Sequence, residues 1–414
     1  MRFLHLADLH FGKAIHGISL LDNGDQPCWV ERFLALAEEL KPDAVLIAGD
    51  VYDRSAPSGD AVELLSRMLT ELAARAIPVL LIAGNHDSAQ RLAFARTLLA
   101  KEGLHISSSL ENSAELSHVT LYDEYGPVTF WLMPYVYPAR IAQALGDGSL
   151  RDSSEAVRAL LSRQTIDFTQ RNVLLAHQNV TVGGVEGPRG GSETMVGGVG
   201  QIDVSIFDGF DYVALGHIHA AYPVGREEVR YAGSPLCYHF DETRQPPKGP
   251  LLVELGGKGT PPDIARKKIA PLHPMRELRG SFAELRAAAL DDTRRGEYLR
   301  VVLTDRRVTA EDADFFRSLF TQRGSILMEI ISEFSAFHGE TSTLSSSAVR
   351  EKSVDELFEA FYTERNSGVG PDEADSALLR FAAGQLRHAE IHAEPTAAEI
   401  ERLLAFVGEQ EDRI

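Results

Sequence analysis

Cysteine is almost absent from this sequence of 414 residues, which contains only Cys28 and Cys237. Two distant thiols cannot build a disulfide framework, so the sequence is typical of a reducing compartment. Long apolar runs are missing too, and no stretch approaches the length of a transmembrane helix. Asp8 stands where a secretory signal would need its apolar segment. We therefore expect a cytoplasmic protein without membrane contact.

Basic residues are also scarce. Lys and Arg total 41 against 60 Asp and Glu, which gives a formal net charge of −19. A protein that coats nucleic acid needs cations to neutralise phosphates, so this balance argues against extensive nucleic-acid coating. It leaves open a localised basic surface, and also a site whose positive charge comes from bound metal ions.

Short β-branched and aliphatic runs alternate with amphipathic segments, which predicts an α/β fold for the first part of the chain. Strands are expected over 3–7, 43–48 and 78–83, with helices over 29–40 and 59–76 between them. This order predicts a parallel sheet with right-handed crossovers. The same patterns predict further helices over 88–100 and 153–170, and strands over 119–122, 128–136, 172–177 and 211–216.

Polar side chains of the kinds that bind metals follow five of these strands, always at the carboxyl end. Ligands collect at this edge of open α/β sheets. One histidine after a strand is commonly structural, but five such occurrences are hard to attribute to packing. His5 lies inside a strand and is interpreted as a core or supporting histidine. The candidate ligands are Asp8, His10, Asp50, Asn85, His177, His217 and His219.

The mixture of donor atoms in this set indicates the kind of metal and the chemistry. Imidazole nitrogen is combined with carboxylate and amide oxygen, which suits Mn, Fe or Zn better than Ca or a thiolate zinc site. Seven donors are too many for one ion and suit two ions that share a bridging carboxylate. We therefore expect two divalent metal ions and the hydrolysis of a phosphate ester.

The order Asp-x-His, Gly-Asp-x-x-Asp, Gly-Asn-His-Asp, His and Gly-His-x-His resembles that of the calcineurin-like metallophosphoesterase superfamily. These blocks begin at Asp8, Gly49, Gly84, His177 and Gly216. The chain also resembles, more narrowly, the SbcD-like nuclease subunits of double-strand-break-repair exonucleases. The stretches that carry this narrower resemblance are residues 5–10, 212–219, 231–235 and 240–242.

The resemblance implies a role for each site residue. One ion would be held by Asp8, His10, Asp50 and His219, and the other by Asp50, Asn85, His177 and His217, with Mn²⁺ as the first choice and Asp50 as the bridge. His86 would be the catalytic histidine, which binds the scissile phosphate and protonates the leaving oxygen. Asp53 matches the position that orients this histidine, with a simple turn carboxylate as the alternative. Arg54 resembles phosphate-binding arginines, with a solvated surface charge as the alternative.

Composition and pattern divide the chain into three parts. We expect a metallophosphoesterase nuclease domain over 1–265, with central sheets flanked by helices. A small α+β capping domain is expected over 270–335, and a linker with a helical, partner-binding tail over 340–414. The Gly-rich segment 183–200 is interpreted as a flexible loop placed to act as a flap. The resemblance implies that the cap grips DNA and that the tail binds an SbcC-like coiled-coil ATPase.

The leading hypothesis is a DNA nuclease subunit of an SbcCD-like complex in DNA repair and recombination. The resemblance implies double-strand exonuclease and single-strand endonuclease activity, and a homodimer within a heterotetramer. One alternative is a metallophosphoesterase for cyclic nucleotides or nucleotides, which would need neither cap nor tail. Another is a non-catalytic metal-bearing scaffold, which would have lost ligands or His86, whereas this sequence retains them.

Overall fold

The computed structural model describes residues 1–110, 114–185, 187–188, 200–333, 362–363 and 370. Residues Met1–Ser335 form one compact unit and Ala336–Ile414 a second. All of the predicted tail over 340–414 except residues 362–363 and 370, and most of the Gly-rich segment 183–200, therefore lie outside the described residues. Within the described ranges, no helix combines the length and the apolar character that crossing a membrane would require.

The first 266 residues alternate strands with helices, as the hydrophobic pattern predicts. The strands are β1 (Arg2–Leu6), β2 (Ala14–Ile15), β3 (Ile18–Ser19), β4 (Ala44–Ala48), β5 (Val79–Ile82), β6 (Leu104–Ser107), β7 (Ser117–Asp123), β8 (Gly126–Met133), β9 (Arg171–His177), β10 (Asn179–Thr181), β11 (Gln201–Asp203), β12 (Tyr212–Gly216), β13 (Pro223–Val224), β14 (Arg226–Tyr231), β15 (Leu251–Glu254) and β16 (Asp263–Arg266). The helices are α1 (Asp25–Leu40), α2 (Gly59–Ala74), α3 (Ala89–Leu92), α4 (Arg96–Leu99), α5 (Pro138–Leu145) and α6 (Ser153–Ser162). Short 3₁₀ helices span Ala100–Glu102, Val204–Phe207 and Phe240–Arg244.

Twelve of these strands build two six-stranded sheets, and β2-β3 and β10-β11 form two-stranded sheets. The first has the order β16-β15-β1-β4-β5-β6, and the second has the order β13-β14-β12-β9-β8-β7. The strands β1, β4, β5 and β6 are mutually parallel, as are β8, β9, β12 and β14. The remaining strands of the two sheets, β15, β16, β13 and β7, pair antiparallel. The prediction of parallel strands is confirmed, but strands β9 and β12 belong to a second sheet.

The two sheets pack face to face, and helices cover both outer faces. Phe3 and Leu46 of the first sheet share one buried cluster with Phe130 and Val173 of the second. Buried residues of α1 and α2 form a second cluster with the outer face of the first sheet. Those of α5 and α6 form a third with the second sheet. The layers therefore run helix, sheet, sheet, helix, and the parallel strands present their carboxyl ends at one edge.

Residues 275–332 form a smaller α+β unit with its own core. Three parallel strands, β17 (Met275–Gly280), β18 (Tyr298–Leu303) and β19 (Ile326–Ser332), are connected by α7 (Phe282–Asp291) and α8 (Ala310–Thr321). Each helix starts with a capping box, at Ser281 and at Thr309, which supplies acceptors to the first free amides. This confirms the α+β character predicted for this part of the chain.

Two predicted helices are wrong in extent. The helix expected over 88–100 is interrupted, because Ala95 adopts a left-handed conformation with φ of 57° between α3 and α4. The helix expected over 153–170 ends at Ser162. Beyond it, the Asp167 carboxylate accepts a hydrogen bond from the amide of Thr169 at 2.9 Å, which closes a turn in place of another helical turn.

Candidate metal centre

The loops that follow β1 and β4 are joined by hydrogen bonds beyond the ends of the strands. The amide of Asp8 donates to the carbonyl of Gly49 at 3.0 Å, and that of His10 donates to the carbonyl of Asp50 at 3.0 Å. The parallel pairing of the two strands therefore continues into the loops, and it places the first three candidate ligands side by side.

Four of the candidate ligands have a left-handed backbone. The φ angle is 55° at Asp8, 43° at His10, 49° at Asp50 and 102° at His217. A residue with a side chain adopts this conformation at a cost of about 1–3 kcal/mol, and such positions concentrate at functional sites. The strained backbone at these four residues turns their carboxylates and imidazoles toward one point.

Each of the two carboxylates is fixed by one oxygen and presents the other. Oδ1 of Asp8 accepts the amide hydrogen of His217, and Oδ1 of Asp50 accepts that of His86, both at 2.9 Å. Oδ2 of Asp8 is buried and has no hydrogen-bond partner among the described residues. Oδ2 of Asp50 faces Nε2 of His177 at 3.3 Å and Nε2 of His10 at 3.6 Å. A buried, unsatisfied oxygen is costly, so Oδ2 of Asp8 is suited to bind a cation.

His177 shows the same division of labour. Its Nδ1 donates to the carbonyl of Ala48 at 2.7 Å, which leaves a lone pair on Nε2. This Nε2 lies 3.2 Å from Oδ1 of Asn85 and 3.3 Å from Oδ2 of Asp50. Three electron-pair donors thus face one another from two different sheets. A divalent cation fits between them, because it would satisfy all three atoms at once.

The remaining histidines complete the cluster. Nε2 of His10 lies 3.2 Å from Nε2 of His219, and Nδ1 of His217 lies 3.1 Å from Oδ1 of Asn85. Groups able to hold an ion include Asp8 with His10 and His219, and Asp8 with Asp50 and His177. The structure therefore brings all seven predicted ligands together, although they come from five separate strand ends.

The electrostatics of the cluster favour positive charge. Burial lowers the pKa of His177, but the carboxylate of Asp50 outweighs it and raises that pKa to about 9. Burial raises the pKa of Asp8 to about 7. Burial, with the neighbouring His177, lowers the pKa of His217 to about 3, and burial also lowers that of His10. His10 and His217 are therefore neutral imidazoles, the form that binds metal, whereas His177 must lose the Nε2 proton that Asp50 favours before it can bind an ion.

Glycines stand at the strand ends because ligand side chains from other loops pass directly over them. A Cβ on Gly84 would lie 2.1 Å from Oδ1 of Asp50. One on Gly49, whose φ is 87°, would lie 2.3 Å from Nδ1 of His177. Both distances are far inside van der Waals contact, so neither position admits a side chain unless a ligand moves.

We expect Gly84→Ala to destabilise the protein by about 1–3 kcal/mol through overpacking. Because the atom displaced belongs to Asp50, Mn²⁺ affinity should also fall by about tenfold or more. Thermal unfolding with and without Mn²⁺ measures both effects, since a bound ion raises the melting temperature. Gly59→Ala is the matched control, because a Cβ there meets no atom within 4 Å. An unchanged Mn²⁺-dependent rise in Gly84→Ala would contradict this account.

Comparison with known proteins identifies the family. Residues 1–221 match the calcineurin-like phosphoesterase family. The D subunit of the nuclease SbcCD from Staphylococcus saprophyticus is 32% identical over 311 residues, which cover 73% of this chain and 78% of that relative. This chain belongs to the calcineurin-like phosphoesterases, in their SbcD branch. The D subunit of the nuclease SbcCD from Staphylococcus epidermidis is 29% identical over 311 residues, which cover 74% of this chain and 79% of the relative.

Two further comparisons concern the rest of the SbcD-family chain and its fold. Residues 271–366 match a family described as the type 5 capsule protein repressor C-terminal domain. The crystal structure of TT1561 of Thermus thermophilus aligns with 56% of this chain and 89% of its own, at 14% identity and a TM-score of 0.33.

In this phosphoesterase, the predicted catalytic residues lie at the rim of the cluster. The His86 side chain is 43% exposed, with Nε2 at 4.0 Å from Oδ2 of Asp50. Its Nδ1 donates to Asp53 at 2.9 Å, but to the backbone carbonyl and not to the carboxylate. The carboxylate of Asp53 instead accepts from Nζ of Lys13 at 2.7 Å and lies 3.6 Å from Nδ1 of His10. The Arg54 side chain is 82% exposed.

Two further residues support the ligands: for Asp87 the sequence predicts a helix cap or a support behind the ligands, whereas it gives Glu242 no role. The Asp87 carboxylate accepts the amides of Val51, Tyr52 and Gly84 at 2.9–3.1 Å, and so joins the Asp50 loop to the Asn85 loop. Burial raises its pKa to about 6. Glu242 lies with Oε1 at 3.6 Å from Nδ1 of His219. The only sequence signal for Glu242 was its place in a stretch already noted for resemblance.

Proposed function

We propose that this SbcD-family chain is the metal-dependent DNA nuclease subunit of an SbcCD-like complex that acts in DNA repair and recombination. The observation that carries the proposal is the position of Nε2 of His177, which lies within 3.3 Å of both Oδ2 of Asp50 and Oδ1 of Asn85. The relatives support the choice of substrate, since both are named as the D subunit of the nuclease SbcCD. They favour a nuclease over the enzyme for small esters and over the scaffold.

The geometry supports two ions that share Asp50. We assign Asp8, His10, Asp50 and His219 to one, and Asp50, Asn85, His177 and His217 to the other. The shared role of Asp50 is supported by its Oδ2, which faces both His10 and His177. Nitrogen and oxygen donors without thiolate suit Mn²⁺, which we propose as the ion.

When bound, two divalent ions would supply an activated water and would offset the negative charge of the phosphodiester. The residues of the chain hold and orient the reacting groups around them. We assign to His86 the hydrogen bond to the scissile phosphate and the transfer of a proton from Nε2 to the leaving oxygen. This is supported by its partial exposure and by the Nδ1 hydrogen bond to Asp53, which leaves Nε2 on the side of Asp50, at 4.0 Å from its Oδ2.

Asp53 and Arg54 then have different tasks. The backbone carbonyl of Asp53 accepts a hydrogen bond from His86 and so fixes its ring. The carboxylate of Asp53 accepts a hydrogen bond from Lys13 and lies beside Nδ1 of His10. The exposed guanidinium of Arg54 stands next to this point in the chain and is available to a phosphate of the DNA. We propose that Asp53 positions the catalytic histidine and that Arg54 belongs to the substrate-binding rim.

The proposed division of labour along the chain follows the predicted domains. Residues 1–265 would carry the nuclease, residues 270–335 would form a cap over its substrate, and the tail over 340–414 would bind an SbcC-like coiled-coil ATPase. A cytoplasmic location is part of this proposal. Removal of residues after Glu340 should abolish copurification of such an ATPase, and equal recovery by the truncated chain would contradict the assignment.

A direct experiment compares substrates in the presence of Mn²⁺. Purified protein is incubated with end-labelled duplex DNA, with a single-stranded circle and with a cyclic nucleotide. The proposal predicts degradation of both DNAs and little hydrolysis of the cyclic nucleotide, with loss of activity in excess chelator. Hydrolysis of the cyclic nucleotide alone would replace the nuclease by a small-ester phosphodiesterase. A protein that binds Mn²⁺ and hydrolyses nothing would be a scaffold.

We also propose a homodimer, and the surface around α3 and α4 supports it. Phe94 is 80% exposed and Leu98 is 65% exposed, which is unusual for large apolar side chains on a free surface. We expect the double variant Phe94→Asp, Leu98→Asp to sediment as a monomer where the wild type sediments as a dimer. Tyr122→Asp is the matched control, because Tyr122 is 76% exposed on β7. A dimer that survives the double change would exclude this surface.

A further inference from the structure

The short 3₁₀ helix Phe240–Arg244, here called the 240–244 helix, has contacts on two sides. On one side it supports a histidine of the metal centre, and on the other it meets the three-stranded sheet of the cap. Both sets of contacts are made by side chains of a single turn, so a displacement on one side is transmitted to the other.

The inner contact is made by Glu242, whose side chain is fully buried. Its Oε1 lies 3.6 Å from Nδ1 of His219. Its Oε2 accepts from Nζ of Lys248 at 2.7 Å and from the amide of Tyr238 at 3.2 Å. Lys248 also donates to the carbonyl of His219 at 2.8 Å. A carboxylate in this position sets the orientation of the imidazole and the basicity of its other nitrogen.

The outer contact is made by a row of charges across the cap. Glu277, Arg300 and Glu329 occupy the same register on β17, β18 and β19, so negative, positive and negative groups lie side by side. Arg300 donates to Glu277 through Nε at 2.9 Å, and its Nη1 lies 3.6 Å from Glu329. The row faces the 240–244 helix with complementary charge.

Two ion pairs join this row to the helix. Nη2 of Arg300 lies 3.1 Å from Oδ1 of Asp241, and Nη2 of Arg244 lies 2.8 Å from Oε1 of Glu277. The guanidinium of Arg300 also lies 5.0 Å from the ring centre of the buried Phe240. Phe240, Asp241 and Arg244 thus contact the cap, while Glu242, which lies between them in the chain, contacts His219 of the metal centre.

Packing across this joint is incomplete, which increases the weight of the ion pairs. A cavity of about 250 Å³ lies behind the helix, with walls that include Leu236, Lys248, Met275 and Tyr298. Met275 and the buried Tyr298 of the cap pack against the core of the nuclease domain at this cavity. Where apolar groups leave space beside the helix, directional contacts between charged groups add to that packing.

We propose that Asp241 and Arg300 are positioning residues of the metal centre, which act on His219 through the 240–244 helix. The position of the cap is thereby coupled to the orientation of the His219 imidazole, so that a change in either one alters the other. This inference rests on the proposed function, in which His219 binds Mn²⁺.

Mn²⁺ titration of the full chain, followed by the electron paramagnetic resonance of free Mn²⁺, tests the coupling without any substrate. We expect Asp241→Asn and Arg300→Met each to weaken the ion at the His219 site by about tenfold, as loss of a supporting contact does. Glu242→Gln should weaken the same site by about 10- to 100-fold. Arg300→Lys, which keeps the charge, should recover part of the loss. The kcat for a small chromogenic diester should fall with the affinity, although that substrate is too small to need the cap.

The controls loosen the cap without touching the 240–244 helix. Arg276→Met removes an arginine whose partners Asp292 and Glu297 lie within the cap. Tyr298→Phe removes the hydrogen bond from the cap to Asp25, at 2.5 Å, elsewhere in the joint. Both should bind Mn²⁺ within about twofold of the wild type.

Three outcomes separate the inference from the function beneath it. Folded Asp241→Asn and Arg300→Met that bind Mn²⁺ like the wild type would overturn the coupling alone. Equal weakening of Mn²⁺ binding in Asp241→Asn, Arg300→Met and the two control variants would also overturn it, because any loosening of the cap would then suffice. A wild type that binds no Mn²⁺ would overturn the proposed function and the inference together.

Discussion

Replacing His86 by glutamine should slow DNA hydrolysis by about 10²- to 10⁴-fold, the usual contribution of a positioned acid or base. The substitution should leave Mn²⁺ binding close to that of the wild type. Glutamine keeps the backbone amide that Asp50 accepts at 2.9 Å, so the carboxylate stays in place. It removes only the imidazole, whose Nε2 lies 4.0 Å from Oδ2 of Asp50. Single-turnover hydrolysis of end-labelled duplex DNA measures the effect.

The leaving group tells proton donation from phosphate binding. A diester that releases p-nitrophenolate needs no proton, so the defect of His86→Gln should be much smaller on that substrate than on DNA. His118→Gln is the matched control, since His118 is an exposed histidine on β7. Wild-type rates on DNA would remove His86 from the mechanism. An equal defect on both substrates would assign it to phosphate binding alone.

The location of the site could be predicted from the sequence because its signal is local. A buried strand, a glycine and a polar residue follow one another within a few positions, and the carboxyl end of a parallel strand is an edge where ligands collect. The structure adds the reason for the glycine at Gly84, where a Cβ would lie 2.1 Å from Asp50. It also shows that β9 and β12 form a second sheet. Sheet membership depends on pairing between distant segments, which the local pattern does not contain.

Other features had no local signal. Ala95 breaks the helix expected over 88–100, although alanine is the best helix former, because tertiary context overrides propensity. The part played by Glu242 depends on a contact with His219 that lies 23 positions away in the chain. The hydrogen bonds of Asp87 to the Asp50 loop span up to 36 positions. The candidate ligands could be picked out from the local sequence, whereas the contacts that hold them in place depend on how the loops pack.

The largest loss of activity is expected for Asp50→Asn, about 10³-fold or more, because both ions depend on this carboxylate and a metal contributes several kcal/mol to the transition state. The asparagine oxygen can still accept the hydrogen bond from the amide of His86, and this contact should keep the loop in place. The charge that raises the pKa of His177 to about 9, and that favours a cation there, would be gone. Calorimetric titration with Mn²⁺ should show weakened binding at both sites.

Asp8→Asn is the decisive comparison, since the assignment gives Asp8 to one ion and Asp50 to both. Both residues are buried, and in each one oxygen is fixed by a backbone amide at 2.9 Å, so the two changes are matched in chemistry and surroundings. If Asp50 is the bridge, Asp8→Asn should keep about one tightly bound Mn²⁺ per chain, and Asp50→Asn should keep none. Loss of a single ion in Asp50→Asn would make it an ordinary ligand. The meeting of His10 and His177 at Oδ2 of Asp50 would then reflect packing and not a shared ion.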